Sequence, residues 1–161
     1  MEEKYVVEGL FGENRNEVVD SVPHCVAIGM KCVRLDRRTA TLMIPYRDDL
    51  VGDPNRGVVF GGVITTLLDQ TGGAATLCSL SEFSSMATID LRVDYLRAAE
   101  PGLDLYGFAE CYKRTHSIAF VRGKAWDRDP DDPFAHYIAT YMLGANQNDP
   151  LVESAEAGLA K

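Results

Sequence analysis

Between Gly61 and Leu80 the chain carries a single carboxylate or basic side chain, Asp69. Around it Val63, Ile64, Leu67, Leu68, Thr71, Ala74, Ala75 and Cys78 recur at intervals of three and four, the period of one helical face. The spacing predicts one long helix over residues 62–80, and its poverty in charge predicts burial on most sides. Such a helix constrains everything else, because the remaining chain must supply a surface wide enough to cover it.

The flanking sequence supplies strands. Residues 22–29 read as a short helix, with Pro23 near its first turn and Gly29 at its end. Residues 31–35 alternate polar and apolar, Asp36-Arg37-Arg38 turns, and residues 39–45 return as a hairpin partner. Residues 47–56, containing Gly52-Asp53-Pro54-Asn55, have loop chemistry. Past the central helix, residues 86–97, 103–114, 117–127 and 134–143 read as an antiparallel run of strands joined by short turns. Strict alternation in the first of these puts Ile89, Leu91, Val93 and Tyr95 on one face, and Thr88, Asp90, Arg92 and Asp94 on the other. Hairpin, long helix and antiparallel meander make an α+β arrangement, with one central helix wrapped by a sheet of about six strands. Residues 1–21 read as an N-terminal arm, 22–144 as a single domain, and 145–161 as a flexible acidic tail.

Composition narrows the function classes. The 161 residues are enough for one self-sufficient core. Sixteen Lys and Arg against 24 Asp and Glu leave a net charge of −8, which argues against nucleic acid as a partner. No apolar run approaches the ~20 residues of a membrane helix, and the opening MEEKYVVEGL has no signal-peptide core. A cytoplasmic protein without membrane attachment is expected. The four cysteines show no CxxC spacing, and His24, His116 and His136 are scattered. Neither a metal site nor a cofactor is therefore expected, and the thiols read as small reduced hydrophobes.

The segment Gly57-Val58-Val59-Phe60-Gly61-Gly62-Val63-Ile64-Thr65-Thr66-Leu67-Leu68-Asp69 resembles the His-Gly-Gly…Asp signature of the PaaI-like, phenylacetic-acid-degradation-type acyl-CoA thioesterases. Residues 88–97 resemble the strand that follows the helix in that family, and the resemblance covers roughly residues 22–144. It implies the hotdog fold, hydrolysis of an acyl-CoA thioester to free acid and CoA, and a homo-oligomer. That assembly would be a dimer or a dimer of dimers with sites shared between subunits. One position departs from the family: Phe60 stands where its members usually carry histidine.

The chemistry asked of these positions is definite. A helix that starts at Gly61-Gly62 presents unpaired backbone N–H groups and lets a ligand approach closely, as an oxyanion hole requires; a tight turn packed on glycine is the plainer reading. Asp69 would act as nucleophile or as general base on water, the plainer reading being an aspartate on the helix's one exposed stripe. The resemblance puts Thr88 where relatives hold the attacking water or the carboxylate, although β-propensity alone explains a strand threonine. It also puts Asn55 in the loop that touches the thioester carbonyl, and Phe60 beside the oxyanion glycines as a substrate contact. Arg92, Arg97, Arg114 and Arg122 are candidates for the CoA phosphates, Arg97 foremost because it ends its strand; Arg92, between Asp90 and Asp94, fits a structural ion pair equally well. Two other readings stand beside hydrolysis: a non-catalytic acyl-CoA-binding protein, and a hotdog hydratase or dehydratase. The second wants a histidine near the helix entry, and there is none between His24 and His116.

Overall fold

The computed structural model describes residues 15–144. Residues 1–14 of the expected arm and the expected tail, 145–161, lie outside the described residues. In chain order the elements are α1 (Glu17–Asp20), α2 (Pro23–Ala27), β1 (Lys31–Asp36), β2 (Thr39–Ile44), a 3-10 turn (Asp48–Leu50), β3 (Val51–Asp53), β4 (Val58–Val59), α3 (Gly61–Leu77), β5 (Met86–Tyr95), β6 (Leu105–Arg114), β7 (Ile118–Trp126) and β8 (Ala135–Leu143). Six strands form one antiparallel sheet in the order β1-β2-β6-β7-β8-β5, and β3 and β4 form a separate two-stranded ribbon.

The α+β expectation of one long helix against about six strands is what the chain adopts. Helix α3 buries Ile64, Leu67, Leu68, Thr71, Ala74 and Ala75. Beneath it the central strands offer small buried residues: Gly107, Ala109 and Cys111 on β6, Ala119 and Ala125 on β7. A Cβ at Gly107 would stand 2.9 Å from Thr71 Oγ1, so the helix lies as close as an unsubstituted backbone allows. Thr65, Thr66 and Thr71 return their hydroxyls to the carbonyls of Gly61, Gly62 and Leu67, which lets polar side chains sit in a helix with little charge.

Four expectations are corrected. Helix α3 runs 61–77, not 62–80, because Ser79 and Leu80 turn their N–H groups back to Thr76 and Leu77 at 2.9 and 3.1 Å and tighten the end. The stretch read as an arm contains α1, which buries Val18 and Val19 and accepts a 2.7 Å bond from Gln70 Nε2 at the Val18 carbonyl. The loop 47–56 contains the 3-10 turn and β3. The strands after α3 are not a simple meander: β5 pairs with β8 and forms one edge of the sheet, with β6 three places away.

Strand β5 also departs from strict alternation. Thr88 pairs with Tyr141 and Asp90 with Thr140, so Ile89 is an extra residue in a β-bulge. Residues directly opposite in an antiparallel pair share a face. Thr88, Leu91 and Val93 oppose Tyr141, Ala139 and Tyr137, all buried on the helix side. Thr88 therefore lies on the inner face with Leu91 and Val93, not with Asp90, Arg92 and Asp94, while Ile89 is 55% exposed.

Candidate active site

Asp69 sits two turns into α3, half-buried, where the helix passes over the β5–β8 pair. Its Oδ1 accepts a 2.8 Å hydrogen bond from Thr88 Oγ1. The Tyr141 hydroxyl lies 2.9 Å from the Asp69 main-chain oxygen and 3.3 Å from the same Oδ1. Tyr137, one inward position along β8, has a hydroxyl that is buried without a hydrogen-bond partner among the described residues. Burial pushes the phenol pKa values of Tyr137 and Tyr141 up, and the nearby Asp69 carboxylate pushes both the same way. The Cys25 thiol of α2 is raised by burial first and by Asp69 second. The carboxylate is thus surrounded by protonated, neutral groups, an arrangement that keeps a hydrogen-bond donor a donor.

The other half of the site is the start of α3. Phe60 is its N-cap residue and no side chain caps the helix; Val63 N–H returns to the Phe60 carbonyl at 3.0 Å. The Gly61 and Gly62 N–H groups precede the first intrahelical bonds and carry the positive end of the helix dipole. The two glycines have different surroundings. A Cβ at Gly62 would overlap the ring of Phe60, an exposed side chain with room to turn aside. A Cβ at Gly61 would meet only Tyr95 Oη at 3.5 Å, which leaves open space in front of the Gly61 backbone for a ligand. The Gly61 carbonyl accepts bonds from Tyr95 Oη (3.2 Å) and Thr65 Oγ1 (3.1 Å), and donors at a peptide oxygen strengthen the N–H of that same peptide, here that of Gly62.

Of the residues read from the sequence, Asp69 and Thr88 are brought together, and Phe60, Gly61 and Gly62 share the helix start. Within one chain these two groups stay ~12 Å apart along the axis. Asn55 lies exposed in the β3–β4 turn, its N–H held by Asp53 Oδ1 at 3.1 Å. Arg97 is committed elsewhere: its two terminal nitrogens grip Asp127 at 2.7 and 2.8 Å and also reach the carbonyls of Ala98 and Asp132. The Arg97 guanidinium holds the Asp127 carboxyl far below the usual carboxylate range, against the opposing effect of burial. Arg97 nonetheless lines a cleft of about 520 Å³ together with Arg56, Glu100 and Arg128. Arg92 bonds Asp94 at 2.9 and 3.1 Å, and Arg122 bonds Glu110 and lies over the Tyr112 ring; Arg114 ends β6. Tyr95, Tyr137 and Tyr141 were not singled out from the sequence. The one signal was their inward phase on β5 and β8, since a tyrosine buried at its tip needs a partner there.

Among the described residues no group of three or more His, Cys, Asp or Glu could hold a metal ion, and no helix is long and apolar enough to cross a membrane. A sequence model of the thioesterase superfamily matches residues 56–134, the stretch from the β3–β4 turn to the start of β8. The medium/long-chain acyl-CoA thioesterase YigI of Escherichia coli is 29% identical over 136 residues, 76% of this chain and 86% of that protein. A Halobacterium salinarum protein is 43% identical over 65 residues, 38% of this chain and 43% of that relative's length. A crystal structure from Pseudomonas aeruginosa is 42% identical, with a TM-score of 0.72 over 79% of this chain and 94% of that one. The phenylacetic acid degradation protein PaaI of Thermus thermophilus shares the fold, with a TM-score of 0.65 at 21% identity over 74% of this chain and 97% of its own. The superfamily match falls on the helix start, Asp69 and Thr88 together, and the chain belongs to the thioesterase superfamily, a family of thioester hydrolases built on the hotdog fold.

Proposed function

We propose that the protein hydrolyses acyl-CoA thioesters to the free acid and CoA. The observation that carries this reading is the pairing of Thr88 with Asp69 on a helix otherwise without charge, since the hydroxyl both satisfies the half-buried carboxylate and holds it in one orientation. Asp69 either attacks the carbonyl carbon, forming an anhydride that water then hydrolyses to free acid and the restored carboxylate, or takes a proton from the water that attacks. In both cases the C–S bond breaks and CoA leaves as its thiolate, a good leaving group that takes up the proton released by water. The N–H groups of Gly61 and Gly62 receive the developing oxyanion, an interaction typically worth ~3–4 kcal/mol. The acyl-CoA activity of the Escherichia coli relative supports CoA as the carrier.

The site is shared between two subunits in this reading. A carbonyl carbon must lie ~3–3.5 Å from the attacking oxygen while its oxygen meets the glycine donors, and ~12 Å of helix separates Asp69 from Gly61 in one chain. An antiparallel pair of helices brings Asp69 of one copy to Gly61 and Gly62 of the other. The edge position of β5 and the exposed Phe60, Ile89, Tyr95 and Leu96 support a second copy along that side. Phe60 would then contact the substrate beside the glycines, Asn55 would approach the thioester from the β3–β4 turn, and Arg97 would serve the nucleotide by holding the wall of its cleft. Four unpaired cysteines suit a reducing, cytoplasmic setting.

Thiol release from a panel of short, medium, long and aromatic acyl-CoAs, run beside enoyl-CoA hydration, tests the reading. Release that is lost in Asp69→Asn supports it. Hydration without thiol release, or tight acyl-CoA binding without turnover, overturns it in favour of a hydratase or of a binding protein.

A further inference from the structure

The hydroxyl of Tyr141 reaches Asp69 from β8, the strand opposite Thr88. It lies 2.9 Å from the Asp69 main-chain oxygen and 3.3 Å from Oδ1, and Thr88 Oγ1 lies 2.8 Å from that same Oδ1. A phenol has one proton, and here both of its acceptors belong to one residue, so the contact ties the carboxylate's orientation to its own backbone. No hydrogen bond from the described residues engages Oδ2. We propose that Tyr141 is a positioning residue for Asp69: with Thr88 it fixes Oδ1, and Oδ2 is thereby the oxygen presented to thioester or water.

A second observation comes from the helix side. Gly72 is buried in the middle of α3, where glycine is an unfavourable helix residue. A Cβ at this position would overlap the Tyr141 hydroxyl. The glycine is what admits the phenol to the helix, so two positions 69 residues apart in sequence serve one contact. Tyr141 is 2% exposed, and burial, with the Tyr137 phenol and the Asp69 carboxylate adding to it, keeps the phenol protonated. The phenol therefore keeps the proton that it donates.

This inference rests on the thioesterase reading, and the experiment separates the two. Steady-state thiol release is measured for the full chain with the acyl-CoA it turns over best. Tyr141→Phe keeps the ring and removes the O–H; kcat is expected to fall at least tenfold with KM within about twofold. Gly72→Ala displaces the phenol while leaving it in the chain, and is expected to lower kcat in the same direction. Combining Tyr141→Phe with Thr88→Val should cost less than the product of the two single losses, because both hydroxyls act on one oxygen. Wild-type turnover with an unaltered kcat in a folded Tyr141→Phe protein overturns the positioning role, and the phenol then serves only the helix carbonyl. A rise in KM at unaltered kcat overturns it equally. If Tyr141→Phe does not fold, Gly72→Ala decides by the same criterion. No thiol release from the wild type overturns the thioesterase reading and this inference with it.

Discussion

Thr88 Oγ1 and Asp69 Oδ1 meet at 2.8 Å because β5 takes up Ile89 as a bulge and does not run on in strict alternation. The extra residue, Ile89, resets the alternation and turns Thr88 towards α3, whereas an unbroken strand would carry Thr88 on the outer face with Asp90. Removing the Thr88 hydroxyl tests the contact: Thr88→Val should lose about tenfold, ~1.4 kcal/mol, the scale of one hydrogen bond to a charged group. Thr88→Ser should recover most of that loss; a serine variant as slow as the valine one would mean that the methyl packing matters and the hydroxyl does not.

Phe60 lies 61% exposed with its ring against Gly62. Its contribution to the helix start is packing, so Phe60→His should alter kcat by less than tenfold, under ~1.4 kcal/mol. A hundredfold gain would mark the natural protein as a weakened enzyme. Complete loss with the fold intact would place the ring in the acyl site.

Complementation reads the shared site directly. Asp69→Asn chains and Gly61→Val chains are each expected to be inactive alone. A mixed dimer pairs one doubly altered site with one unaltered site, so a statistical mixture should regain up to about a quarter of wild-type activity. If subunit exchange is verified by mass and no activity returns, the two groups do not cooperate across an interface.

Asp127 concerns stability, not catalysis. Its side chain is 0% exposed and is gripped by Arg97, whose own side chain is 33% exposed; the Glu100 and Arg128 N–H groups also donate to it, each at 2.8 Å. Breaking such a pair from one side costs ~3–5 kcal/mol when both members are buried, and the exposed edge of Arg97 reduces this to about 2 kcal/mol for Asp127→Asn. The sign with pH follows from the depressed carboxyl. The contribution is full above the unfolded aspartate value near ~4 and falls away as pH drops through the lower folded value. Denaturant midpoints of wild type and Asp127→Asn should therefore differ at pH 7 and converge below about pH 4. A difference that persists undiminished at pH 2 would show that the ion pair is not its source.

What the sequence determined by itself is what local spacing encodes. The three-and-four period and missing charge of residues 61–77 fixed one buried helix, and the glycine pair at its start and the lone Asp69 were visible before any strand was placed. What only the tertiary structure decided depends on residues far apart in the chain. The pairing of β5 with β8 in place of β6, and the bulge at Ile89, set which face of β5 meets the helix, because register is chosen by what a neighbouring strand buries and not by the strand's own alternation. Arg97 shows the same limit. Its place at a strand end suggested an open cation, and a buried carboxylate 30 residues further on holds its terminal nitrogens. Tyr141 completes the case: 72 residues from Asp69, it reaches that carboxylate only once the helix has settled on the sheet over the gap that Gly72 leaves.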